Sequence, residues 1–188
     1  MKKIPSLFAR DTANPQILTQ DYHPLAAWVV DGEGVATRKW DGTAVRWAED
    51  QLWSRYDAKQ GKPLPPLFVP CQDPDPITGH RPGWVPATRP EDKWIRVAAG
   101  NASWPDGTYE ACGPRIGGNH EKLADHMIVR HGGDALPDVP RDWSGLATYF
   151  TEHDIEGIVW WRDLTDIDCH KVKITGAALG VKRRKGRA

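Results

Sequence analysis

Apolar and polar residues alternate with a period of two through much of the chain, which is the spacing of half-buried strands. Trp28-Val29-Val30 leads into a glycine-rich turn at Asp31 to Gly34, and alternation then runs from Val35 to Trp47. Asp41-Gly42 interrupts that run, so it reads as two strands joined by a tight turn. Gln51 to Tyr56, Trp94 to Val97, Gly107 to Cys112 and His126 to Gly132 are further strand patterns, the last of them buried. Residues 141–153, from Arg141 to His153, carry apolar positions at helical spacing and predict an amphipathic helix. It delivers the chain to Glu156-Gly157-Ile158-Val159-Trp160-Trp161, and His170 to Ile174 is the last strand. Residues 63–90 hold nine prolines and predict a long irregular connection. Residues 1–27 read as a lead-in with one short helix around Gln16-Ile17-Leu18, residues 28–176 as one domain, and residues 177–188 as a basic tail.

Composition narrows this picture. A chain of 188 residues is long enough for one domain with a sizeable core. It has no run of 18 apolar residues to span a membrane, and Met1 to Pro5 lacks the apolar stretch of a secretory signal. Cys71, Cys112 and Cys169 are odd in number and far apart, so neither disulfides nor a structural zinc is expected and a reducing cytoplasm fits. Formal charge sums to zero, but Lys182 to Lys185 and Arg187 put five positive charges in the last seven residues and leave residues 1–181 at five negative. Contact with a polyanion is therefore expected to be local and salt-sensitive, through a basic cleft and the tail.

Three groups of residues have spacings that suit chemistry. Lys39 stands two residues before Asp41-Gly42 at a predicted strand end, where a sheet can aim its amine. A lysine is a covalent nucleophile only when neutral, and an ordinary amine with a pKa of about 10.4 is neutral in fewer than about one molecule in a thousand at pH 7. Burial and nearby cations shift that balance, and Arg38 is one candidate. Glu156 sits at the mouth of the apolar strand Ile158 to Trp161, a suitable place for a carboxylate that holds magnesium. Lys171 and Lys173 are two apart on a strand, so both amines project from one face and call for an anion such as a triphosphate.

Taken in order, Lys39-Trp-Asp-Gly, Ser54-Arg55, Thr108-Tyr109-Glu110-Ala-Cys-Gly113-Pro, Glu156-Gly157-Ile158-Val159-Trp160 and Lys171-Val-Lys173 resemble motifs I, Ia, III, IV and V of the covalent nucleotidyltransferases. That superfamily comprises ATP-dependent RNA and DNA ligases and mRNA capping enzymes. The Tyr-Glu-x-x-Gly-Pro form and the short chain look most like the small RNA ligases, particularly the family that includes the vertebrate 5′–3′ RNA ligase. The resemblance implies an α+β fold, with antiparallel sheets flanking a nucleotide cleft, in a single adenylyltransferase domain without an appended OB domain. It implies ATP and Mg²⁺ or Mn²⁺ as cofactors, 5′-phosphate and 3′-hydroxyl RNA ends as substrates, no membrane partner, and a monomer. Lys39 would be the nucleophile, with Glu156 as metal ligand and Lys171 and Lys173 on the phosphates. Arg55 matches the motif Ia arginine, for a phosphate or for fixing Glu110, and Glu110 the carboxylate that contacts the ribose or orders the site. Adenine would be sandwiched between the strand after motif III, where Met127 is taken from the stretch His126 to Val129, and motif IV, through Ile158 or Val159. Ala44 stands where many DNA ligases carry arginine, and Arg46 follows on the same strand face, which weakens a reading as a DNA ligase. A guanylyltransferase, or a nucleotide- or RNA-binding module without turnover, would also fit these motifs.

Overall fold

The computed structural model describes residues 1–76, 78–165 and 170–183. The chain divides into two units, one of Met1–Lys3 with Asp41–His131 and another of Ile4–Trp40 with Gly132–Ala188. In chain order, β1 (Phe8–Arg10), β2 (Leu18–Tyr22), α1 (Ala27–Val30) and β3 (Val35–Lys39) belong to the second unit. The first unit then contributes β4 (Thr43–Ala48), β5 (Gln51–Ala58), β6 (Val69–Pro70), β7 (Arg81–Pro86), α2 (Lys93–Ala99), β8 (Gly107–Cys112) and β9 (Met127–Arg130). The second resumes with α3 (Trp143–Glu152), β10 (Gly157–Trp161) and β11 (Lys171–Thr175). The chain is α+β, and the pairs between these strands are antiparallel.

In the first unit, six strands run in the order β6-β7-β5-β4-β8-β9. Val45, Tyr109, Ala111 and Ile128 make the apolar side of that sheet and pack with Ile95, Ala98 and Ala99 of α2. The second unit has a three-stranded sheet, β11-β10-β3, and the β1-β2 ribbon. There Ala36, Ile158, Trp160, Val172 and Ile174 form a core with Leu146 and Phe150 of α3 and with Leu7 and Phe8. Each large side chain buried in this way contributes about 1.5–3 kcal/mol relative to leaving it in water.

Several elements differ from the sequence expectation. The lead-in is structured: Leu7 and Phe8 are core residues, and Leu18 opens a strand rather than a helix. Trp28-Val29-Val30 and Trp94 to Val97 are helical, not extended. Part of the proline-rich stretch is sheet, because Pro82 gives β7 a carbonyl that accepts from Cys71 N–H at 2.9 Å and needs no N–H there. Trp84, on β7, is fully buried, and Arg89 is held bidentately by the buried Asp92 at 2.9 Å rather than left for a phosphate. His126 to Gly132 contains the edge strand β9, in which only Ile128 is buried. The predicted turn at Asp41-Gly42 is not a hairpin, since β3 pairs with β10 whereas β4 pairs with β5 and β8.

The helix predicted over 141–153 is α3, and Asp142 caps it. Its carboxylate accepts from Gly145 N–H at 2.9 Å and from Ser144 Oγ at 2.7 Å, and these bonds hold its pKa below the usual aspartate value. Replacing the cap in Asp142→Ala should cost about 1 kcal/mol at pH 7, seen as a lower urea midpoint. A depressed folded-state pKa stabilises above the ordinary aspartate range and stops doing so as pH falls through the depressed value. The gap between variant and parent should therefore close in acid.

Candidate active site

The second unit's sheet fixes where four of the predicted site residues point. Along β3 and β10, Lys39 lies opposite Gly157, Thr37 opposite Val159 and Val35 opposite Trp161. On the far side of β10, Thr175, Lys173 and Lys171 face the same three positions in turn. Residues directly opposite each other on antiparallel strands share a face, so Lys39, Lys171 and Lys173 project from one side of the sheet. Glu156, the residue before β10, ion-pairs through its carboxylate with the Lys39 amine, both side chains being about a quarter exposed at 23% and 25%.

Each strand end is held in place. β3 is bonded on its outer edge by residues 134–136: Arg38 N–H donates to Asp134 O at 2.9 Å, and Leu136 N–H to Ala36 O at 2.8 Å. Trp40 Nε1 donates to the Asp134 carboxylate at 2.7 Å, so the residue after Lys39 is fixed as well. β11 is bonded by the N-terminal segment, with Leu7 N–H to Lys173 O at 2.8 Å and Lys173 N–H to Pro5 O at 2.9 Å. Gly157 is required by close approach, because a Cβ there would lie 2.3 Å from Ile174 O. Lys171 is only 7% exposed, and its Nζ lies 4.3 Å from the centre of the Trp161 ring directly across the ladder. A buried cation is costly unless compensated, and an indole face supplies part of that compensation.

Two predicted residues are on the wrong side of this sheet. Arg38 alternates with Lys39 and so projects from the opposite face, where its guanidinium stacks on Trp40 at 4.0 Å. Ile158 lies opposite Arg38 and Ile174 and is fully buried in the core, which leaves Val159 as the one of the two on the Lys39 face.

Arg55, Glu110 and Met127 belong to the first unit. Glu110 lies opposite Val129, and Met127, 39% exposed, shares that face, whereas Ile128 is turned into the core. The Glu110 carboxylate is held by His131 Nε2 at 2.8 Å, and His131 Nδ1 lies 3.0 Å from the Thr108 hydroxyl. With Nε2 protonated, the ring donates to the carboxylate and accepts from the threonine. Arg55, expected at a phosphate or fixing Glu110, donates to Met1 O at 2.7 Å and Cys71 Sγ at 3.2 Å and lies over Trp84. The glycine of the Lys39 motif also has a packing reason: a Cβ on Gly42 would lie 2.1 Å from Ala111 O. Beside it, Asp41 N–H donates to the Glu121 carboxylate at 2.9 Å.

His131, Glu121 and Trp161 carry no signal of their own in the sequence. Each acquires its role through a cross-strand or loop partner, which only the register reveals. Of the basic tail, Lys182 and Arg183 are described, and Arg183 pairs with Asp154 at 3.4 Å. Arg184 to Arg187, like Cys169, lie outside the described residues. Cys71 and Cys112 are free thiols. Among the described residues no group of three or more carboxylate, histidine or cysteine side chains could hold a metal ion. A single carboxylate such as Glu156 could supply one ligand to a hard divalent ion whose other oxygens came from phosphates and water. No described helix is long and apolar enough to cross a membrane. Comparison with known proteins adds nothing to this geometry: no protein-family model matches the chain, and no curated protein does either.

Proposed function

We propose that the protein is an ATP-dependent RNA ligase, which seals 5′-phosphate to 3′-hydroxyl ends through a lysyl-AMP intermediate. The observation that carries this reading is the gathering of Lys39, Lys171 and Lys173 on one sheet face, with Glu156 against the Lys39 amine. Three amines on one face suit a triphosphate, and a carboxylate beside one of them suits proton transfer.

In the first step, Lys39 Nζ gives a proton to Glu156 and its lone pair attacks the α-phosphorus of ATP. The N–P bond forms as the P–O bond to pyrophosphate breaks, pyrophosphate leaves with the electron pair, and the second amine proton passes to water. Lys171 and Lys173 offset the charge that builds on the phosphate oxygens. A 5′-phosphate oxygen of the RNA then attacks the lysyl-AMP phosphorus, forming a P–O–P anhydride and returning the lysine amine. Finally the 3′-hydroxyl passes its proton to water, its oxygen attacks the 5′-phosphorus, and AMP leaves with the electron pair of the broken anhydride bond. Magnesium or manganese would neutralise phosphate charge when bound, held by phosphate oxygens and water, and would take Glu156 as its ligand from this chain while that carboxylate is unprotonated, not while it carries the Lys39 proton. The Lys39 face would be the phosphate wall of a nucleotide cleft, with Val159 on the adenine side. Glu110, Arg55 and Met127 enter the proposal through the resemblance alone. Transfer of this kind needs no appended OB domain.

The test is sealing. With ATP and magnesium or manganese, a 5′-phosphorylated single-stranded RNA should be converted to a phosphatase-resistant joined product, far faster than the all-DNA equivalent, and the rate should fall steeply as salt rises. Equal sealing of nicked DNA would contradict the RNA assignment, and labelling by GTP in preference to ATP would move the reading to capping chemistry.

A further inference from the structure

We infer that the first unit carries a polynucleotide-docking patch at Lys93, Arg115 and Trp94, which would hold the phosphate backbone of single-stranded RNA. This deepens the ligase reading and rests on it for the identity of the polymer. Three segments converge there. Lys93 and Trp94 open α2, Arg115 follows β8, and His126 precedes β9. The Trp94 and His126 rings are stacked with centroids 5.0 Å apart and planes 8° from parallel, and Arg115 N–H donates to His126 Nε2 at 3.3 Å. Lys93 Nζ lies 4.7 Å and the Arg115 guanidinium carbon 5.6 Å from the centre of the same indole ring.

The stack is built rather than incidental. Gly113 has φ +147°, and a Cβ on it would lie 2.7 Å from His126, so this glycine is what lets the histidine lie against Trp94. The indole in turn holds two exposed cations around one ring, a concentration of positive charge that suits an anion. The two carboxylates that precede Lys93 in the chain, Glu91 and Asp92, are engaged by Arg89 at 3.2 and 2.9 Å. Asp125 adjoins the patch in the chain. Cations interleaved with aromatic rings are how proteins follow a single strand without reading its sequence.

The experiment compares the full-length parent with the charge reversal Lys93→Glu/Arg115→Glu and the neutral pair Lys93→Met/Arg115→Gln. A fluorescein-labelled, 5′-phosphorylated 12-nucleotide RNA is titrated by anisotropy at several salt concentrations, and thermal melts check folding. The expected result for the neutral pair is affinity weakened about tenfold or more. Its slope of log Kd against log salt should fall by about 1.4, at roughly 0.7 per phosphate contact on a single strand. Formation of lysyl-AMP from ATP should be unchanged. Unchanged affinity and slope in a folded variant would overturn the patch while sparing the ligase reading, as would a parent that labels with ATP but does not bind the RNA. A weaker variant in a protein that never labels with ATP would keep the patch and sink the ligase. Competition by polyglutamate as strong as by unlabelled RNA would overturn the polynucleotide assignment.

Discussion

Lys39→Arg is expected to lose covalent AMP labelling to background while remaining folded. Arginine keeps the positive charge and can still pair with Glu156, so the strand end and its ion pair survive. It cannot supply a neutral amine, because a guanidinium stays protonated throughout the working pH range. The substitution therefore separates the nucleophile from the salt bridge, which Lys39→Ala does not. Labelling and melting temperature are measured on the same preparation. Residual label in Lys39→Arg would assign the nucleophile to another residue, and a large fall in melting temperature would show that the position is mainly structural.

Lys171→Met should slow lysyl-AMP formation about a hundredfold or more, the scale on which one preorganised electrostatic donor acts. Methionine has similar length and packs well on an aromatic ring, so contact with Trp161 persists while the charge is lost. Lys173→Met, at the more exposed neighbouring position on the same face, should act in the same direction but less strongly. The readout is the single-turnover rate of label formation at saturating ATP. Parent-like rates in both variants would reduce the pair to an ordinary basic strand.

The residues of the three-stranded sheet were legible because their pattern has one simple reading. The apolar run after Glu156 and the Lys-Val-Lys repeat each fit a strand, and strand geometry alone puts Lys171 and Lys173 on one face. The same period of two also implies that Arg38 turns away from Lys39, and that Ile158 and Val159 cannot share one face of the sheet. What stayed hidden depended on partners far along the chain. Trp28-Val29-Val30 and Trp94-Ile95-Arg96-Val97 are short apolar runs that fit helix or strand equally. Only the Pro90-Glu91-Asp92 start signal favoured a helix for the second. Asp41-Gly42 looks like a hairpin turn, yet its glycine is set by contact with Ala111, far along the chain. The hold of His131 on Glu110 likewise needs the register of β8 and β9.

The central claim is that Lys39 takes up AMP. Intact-mass spectrometry of the parent protein after incubation with ATP and magnesium or manganese, followed by peptide mapping, tests it most directly. A mass increase of one AMP, localised to Lys39 and reversed by added pyrophosphate, is the predicted result. An unchanged mass with each of the four nucleoside triphosphates and with NAD, in protein shown to be folded, would contradict it.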